Sequence, residues 1–207
     1  TDQGMVRYDG SEFKLFAHNP NDSTSIGPGD VWNISLGRDS LLWMGTRQSG
    51  IISFDPRTLR FTKHINPFKN GNIDRVSSVL ADSACIWSGG TDSKLFNLDT
   101  KTNKFELFHP VWAGDTTIKN FGFVRDLLQD KYNPELIWFS VDNNPLIKKQ
   151  GLVSFNKTNH SFQFYACQGR PKYQDDEGNI WLVTNGISQF NPKVNESRHF
   201  PTLYPAP

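Results

Sequence analysis

Long apolar runs are missing from this chain: nowhere do 18 apolar residues follow one another, so no segment reads as a membrane-spanning helix. An excess of either charge is missing too. The 22 Lys and Arg are matched by 21 Asp and Glu, for a net charge of +1. That balance gives no electrostatic case for nucleic acid or for an anionic membrane surface. Cysteine is scarce. Cys85 and Cys167 are too few for a metal site or a disulfide framework, and they stand far apart in the sequence. No Gly-rich phosphate loop is present, and no His is set beside an acid and a nucleophile in a catalytic motif. The chain does not open with a basic-then-apolar leader.

What the chain does have is one phrase written four times. Leu41-Leu42-Trp43-Met44-Gly45-Thr46 returns as Cys85-Ile86-Trp87-Ser88-Gly89-Gly90, as Leu136-Ile137-Trp138-Phe139-Ser140 and as Asn179-Ile180-Trp181-Leu182-Val183-Thr184. The Trp spacings are 44, 51 and 43 residues. Short strands repeating every 40–50 residues or so mean the blades of a β-propeller. Each unit divides into four apolar stretches separated by Gly, Asn, Asp and Pro. In the second unit they are Val76–Ala81, Ala84–Gly89, Lys94–Asp99 and Lys104–His109. The predicted fold is therefore all-β, a single propeller segment of four-stranded antiparallel blades. Its blades fall at about 30–65, 75–109, 122–166 and 170–200, after a half blade at 1–17. Because the first unit lacks its first two strands, the chain is expected to be a piece of a longer, seven-bladed protein.

The connections follow from local chemistry. Asp55, Asp99, Asn156 and Asn191 end the third stretch of each unit, where an Asx side chain closes a turn by bonding the backbone two residues on. Gly4, Gly50, Gly151 and Gly186 open the third stretch, which suits positive φ or close backbone approach. A Trp at the same place in every unit reads as packing between neighbouring blades. His18, His64, His109 and His199 recur at the ends of fourth strands on separate blades, so a shared metal site is not expected. Asp175-Asp176-Glu177 falls in register as a hairpin turn and not as a cation site.

Several stretches carry a family likeness. They are Gly4-Met5-Val6-Arg7-Tyr8-Asp9-Gly10, Leu42-Trp43-Met44-Gly45-Thr46, and Asp175-Asp176-Glu177-Gly178-Asn179-Ile180-Trp181 running on to Asn191-Pro192. Together they resemble the two-component regulator propeller repeat. Units two and three depart from it, with Gly89-Gly90 and Ser140-Val141 where the repeat has Gly-Thr. The resemblance implies the periplasmic sensor region of a Bacteroidetes-type hybrid histidine kinase, in an inner-membrane protein whose kinase lies outside this chain. It implies a ligand, glycan-derived by analogy, or a partner propeller, with signal transduction as the role. The segment itself is then not an enzyme and carries no cofactor or metal. Two other readings stay open. One is a propeller enzyme of the streptogramin-lyase or gluconolactonase type. The other is an assembly scaffold that self-associates as a dimer.

Candidate binding residues come from what the repeat does not explain. Fourth-to-first and second-to-third connections share one face of a propeller. The long ones are 17–30, 66–75, 110–122 and 142–150, and long loops on a rigid scaffold are where binding resides. On that face lie Trp112, Phe68, Arg47, Arg75, Asp92 and Lys148, with Trp32 at the start of an inner strand by the channel mouth. Aromatic faces beside Arg or Lys suit a sugar or an acidic oligosaccharide.

Overall fold

Alternating apolar residues and Asx turns produce hairpin after hairpin, and consecutive strands pair antiparallel throughout. The computed structural model describes residues 4–64, 75–83, 85–90, 94–109, 122–144 and 149–201. The chain divides into two units, Thr1–Phe108 and His109–Pro207. The first unit opens with a two-stranded sheet, β1 (Met5–Tyr8) and β2 (Phe13–Phe16). A four-stranded blade follows, made of β3 (Val31–Leu36), β4 (Leu42–Thr46), β5 (Ile51–Asp55) and β6 (Arg60–His64). The next consists of β7 (Val76–Asp82), β8 (Cys85–Gly90), β9 (Leu95–Asp99) and β10 (Lys104–Phe108). The second unit holds β11 (Val124–Gln129), β12 (Leu136–Asn144), β13 (Lys149–Asn156) and β14 (Phe162–Tyr165). Its other blade is β15 (Arg170–Gln174), β16 (Ile180–Thr184), β17 (Gly186–Asn191) and β18 (Glu196–Pro201).

The Trp strands are the second strand of each blade. Trp43, Trp87 and Trp138 are buried at 2%, 5% and 2% exposure, while Trp181 is only half-buried. Trp43 packs with Val76, Val79 and Ile86 of the following blade. Trp138 does the same with Ile180, Leu182 and Phe190. Each indole also crosses the third strand to a ring on the fourth. The ring centroids stand 4.7 Å apart for Trp43 and His64, 5.4 Å for Trp87 and Phe108, 5.4 Å for Trp138 and Tyr165, and 5.9 Å for Trp181 and Phe200. Register produces this. Trp43 pairs with Ser53, Ser53 pairs with Thr62, and His64 stands two residues on, on the same face.

A buried indole must place its N–H somewhere. In three blades an Asp from the preceding turn accepts it. The distances are 3.3 Å from Trp43 to Asp39, 2.6 Å from Trp138 to Asp130 and 2.9 Å from Trp181 to Asp175. Asp130 does more: its Oδ1 accepts the backbone N–H groups of Tyr132 and Asn133, and its Oδ2 accepts the Gln174 amide at 3.1 Å. Gln174 belongs to the next blade, so this carboxylate ties the two blades of the second unit together. In the first unit Asn33 and Ser35 of β3 accept the N–H groups of Val79 and Ala81 of β7 at 2.9 and 3.0 Å.

The expected turns are present. Asp55, Asp99, Asn156 and Asn191 each accept the N–H two residues on, at 2.9 to 3.0 Å. The fourth residue after each, Leu59, Asn103, His160 and Asn195, takes φ of 54° to 59°. That left-handed step is a feature the residue types did not announce. Gly4, Gly50 and Gly186 have positive φ as expected, but Gly151 does not. At Gly4 a Cβ would fall 2.1 Å from the Phe16 carbonyl oxygen, so only Gly fits.

Two features differ from expectation. The connection 142–150 is shorter than its composition suggests, because β12 and β13 extend through an irregular pairing and rejoin at Asn144 and Lys149. The connection 17–30 is not a free loop. Ile26 is fully buried against Met44, Ile52 and Phe54, and Thr24 accepts the N–H of Phe61 at 2.9 Å.

Trp138→Ala is expected to cost about 3–5 kcal/mol in urea denaturation, as buried Trp truncations do. Trp181→Ala should cost clearly less, since its ring is already partly exposed. Asp130→Ala should cost about 1–3 kcal/mol by stranding the Trp138 N–H and the Gln174 amide, read by the same measurement.

Candidate functional site

Of the seven residues singled out in the sequence, Phe68, Asp92, Trp112 and Lys148 lie outside the described residues. The other three fall at one end of the first unit. Trp32 occupies a bulge where β3 slips against β4, between the pairs Val31–Thr46 and Asn33–Gly45. It is 39% exposed. Arg47 directly follows β4. Its side chain is half-exposed and ion-paired to Asp30 at 3.5 Å, and its N–H donates to the Asp30 carbonyl at 2.9 Å. Arg75 directly precedes β7, whose Val76 abuts Gly45 so closely that a Cβ there would stand 2.8 Å from the Val76 carbonyl oxygen. All three therefore sit at the end of the blades that carries the fourth-to-first and second-to-third connections. The equivalent bulge in β7 holds Ser77, whose hydroxyl donates to the Gly89 carbonyl.

The second unit has a cleft at the same end of its blades, with a volume of about 690 Å³. That lies within the roughly 300–1,000 Å³ typical of small-molecule sites. Its polar walls come from Gln150 on β13, Gln168 and Arg170 at the β14–β15 connection, Asn185 in the β16–β17 turn, and Ser188 and His199 on β17 and β18. The Ser188 hydroxyl and His199 Nδ1 are 3.0 Å apart. Arg170 is held through Nε by Asp126 at 3.8 Å, and Lys172 meets the other oxygen of Asp126 at 2.6 Å. Cys167 also lines the cleft, where burial pushes its thiol up to about 12.

None of these six polar residues stands among the sequence candidates. The fourth-strand position had set His199 aside as an outer-rim residue, and Ser188 reads as one more strand residue. A usable signal is the run Ala166-Cys167-Gln168-Gly169, a four-residue link between blades too short to fold over its own ends. Gly169 has φ of 128°, and a Cβ there would meet Leu182 at 2.7 Å.

One arrangement looks catalytic. His64 Nε2 lies 3.0 Å from the Ser53 hydroxyl and its Nδ1 lies 3.0 Å from Asn103 Oδ1. A nucleophile, a base and an orienting group stand in that order in acyl-transfer enzymes. Register assigns it to the scaffold instead. Ser53 is 4% exposed. The matching positions in the other blades hold Asn97 with Phe108, Ser154 with Tyr165, and Gln189 with Phe200. Asp175 is likewise committed. Burial raises its pKa, but donors from the Asn179 side chain, Trp181, the Asn179 backbone and Gln189 outweigh that and hold it at about 2.

Compared as a sequence, the chain matches no family model and no curated protein. Compared as a structure, it matches many. The extracellular domain of a protein assigned as a hybrid two-component system from B. thetaiotaomicron superposes with a TM-score of 0.74 at 16% identity, over 96% of this chain and 27% of that one. A second such domain from the same organism gives 0.69 at 18% identity, over 98% and 25%. Virginiamycin B lyase from Staphylococcus aureus gives 0.63 at 12% identity, over 89% and 58%. The fold is that of a β-propeller. The chain spans about a quarter of the length of the extracellular domains it matches. Sensor proteins of the kind whose repeat the sequence resembles thus share its blade architecture.

His64 yields a pH test. Burial lowers its basicity and the Asn103 bond offsets that only in part, so the folded chain favours the neutral ring. The contribution is complete above the ordinary value of about 6.5 and is lost as pH falls through the lower folded value. Unfolding midpoints should therefore drop between pH 7.5 and pH 5. His64→Phe, which copies Phe108 at the matching position, should lose less over that range than the parent chain.

Proposed function

We propose that this chain is an extracytoplasmic ligand-sensing segment of a two-component sensor, lying in the periplasmic part of an inner-membrane protein. It binds a glycan-derived ligand or a partner propeller and passes the signal to a kinase outside these 207 residues. The observation that carries this reading is the match of its blades, over 96% of the chain, to the extracellular domain of a protein assigned as a hybrid two-component system. The cleft of the second unit supports the ligand half of the proposal. The outward face of β15–β17 supports the partner half. Tyr173, Val183 and Ile187 stand there 56%, 46% and 51% exposed, beside the half-buried Trp181.

The similarity to virginiamycin B lyase favours a second reading, a propeller lyase. A thermal-shift series on the protein separates the two. A saccharide ligand that binds only the folded state raises the melting temperature with its concentration. Sensing predicts such a rise with mono- or oligosaccharides and none with divalent cations alone. A rise with divalent cations alone, together with turnover of a cyclic depsipeptide, would favour the lyase.

A further inference from the structure

We infer that the cleft of the second unit is a binding site for a hydroxylated carboxylate, a small molecule of the sugar-acid kind. This deepens the sensing reading and rests on it for biological meaning, though the binding chemistry stands by itself.

The first argument is charge. Among the described residues, those lining the cleft include Arg170 and His199 and no Asp or Glu. Asp126, which holds Arg170, is not part of the wall and is shared with Lys172, so two cations offset one carboxylate there. An anion entering the cleft meets a donor-rich wall without a facing acid.

The second argument is geometry and hydrogen-bonding capacity. Asp126 approaches Arg170 at Nε at 3.8 Å, beyond hydrogen-bond distance, and the Arg170 side chain is 45% exposed at the cleft wall. A planar guanidinium fork fits a carboxylate with two parallel bonds. The amides of Gln168 and Asn185 have no hydrogen-bond partner among the described residues. Gln150 spends one N–H on Ser140 at 3.3 Å and keeps its carbonyl. His199 spends Nδ1 on Ser188 and keeps Nε2. Among the described residues, two unpartnered amides, a carbonyl and a ring nitrogen form a mixed set of donors and acceptors. Alcohol groups satisfy such a set because each both donates and accepts. A simple carboxylate would use only the Arg170 end, and a neutral sugar only the other.

The third argument is reach. Arg170 begins β15 at the inner side of its blade, whereas Ser188 and His199 belong to the two outer strands of the same sheet. A ligand that touches both must carry its charge at one end and its hydroxyls at the other. The buried Cys167 supplies apolar wall.

The test is titration calorimetry of the protein with sodium glucuronate, glucose and sodium acetate as probes, on the parent chain, Arg170→Gln and Asn185→Ala. Circular dichroism melting checks that each variant folds, and Arg170→Lys restores charge without the fork should Arg170→Gln prove unstable. Glucuronate is expected to bind at least about tenfold more tightly than either glucose or acetate. That preference should fall about tenfold in Arg170→Gln or Arg170→Lys, and several-fold in Asn185→Ala, where a ~1.4 kcal/mol loss is tenfold. Glucuronate binding that is undiminished in the Arg170 variants overturns the site while leaving sensing intact. Equal binding of glucose overturns the carboxylate. No binding of any probe overturns the site, and the sensing reading then falls only if the saccharide series also leaves the melting temperature unmoved.

Discussion

Each blade turns on one side chain, the second-strand indole, which meets three different demands at once. Its ring covers the third strand and rests on the ring of the fourth, at 4.7 to 5.9 Å between centroids. Where a following blade lies in the same unit, its far face fills the gap between sheets, as Trp43 does against Val79 and Trp138 against Leu182. Its N–H then needs an acceptor at the buried end, and in three of the blades a turn Asp supplies one. An apolar residue of equal size would fill the space but give that Asp nothing to hold. A smaller residue would open a void that a sheet-on-sheet interface closes poorly. The hairpin turn before the Trp strand is therefore acidic for a packing reason, and Asp175 is drawn down to about 2 as a by-product.

That constraint explains why the fold could be read from residue types. Period and hydrophobic alternation locate strands, and a repeated Trp aligns them, so blade number and register follow from the sequence. The aligned repeat also showed that the histidines belong to separate blades. Its reach ended at features that do not depend on residue type. Leu59 and His160 occupy the same left-handed turn position as Asn103 and Asn195, and nothing in a Leu announces that conformation. The extension of β12 and β13 toward Asn144 and Lys149 hides in a polar stretch with a register irregularity, where alternation fails as a guide.

The candidate site was legible only in outline. Long connections pointed to one end of the blades, and Trp32, Arg47 and Arg75 gather at that end of the first unit. The cleft of the second unit escaped because it is built from strand ends and one short link, not from a long loop. Ser188 and His199 illustrate the reason. In sequence they look like Ser53 and His64, a β-strand Ser and a fourth-strand His 11 residues apart. Ser53 and His64 share the Trp43 face and are packed under the next blade. Ser188 pairs with Leu182, one residue off the Trp181 register, and so points from the opposite face of its sheet. One residue of register separates a scaffold pair from a cleft pair, and no composition rule sees it.

Cys167 decides what kind of chemistry the cleft can offer. A thiol at the wall of a polar cleft beside an Arg and a His invites a reading as nucleophile or redox sensor. Reactive cysteines are thiolates at neutral pH, stabilised by neighbouring cations or helix ends. Cys167 goes the other way. Burial in the cluster of Trp138, Tyr165 and Leu182 raises it to about 12, and hydrogen bonds from the backbone of Leu152 and of Cys167 itself recover only part of that. At neutral pH it is protonated, 6% exposed, and behaves as a small apolar side chain. The Ser188 hydroxyl pairs with His199 Nδ1, and among the described residues no acid is bonded to that His. For recognition the cleft has the Arg170 guanidinium, the amides of Gln168 and Asn185, and a ring nitrogen on His199. A wall of that make-up offers both donors and acceptors to a ligand.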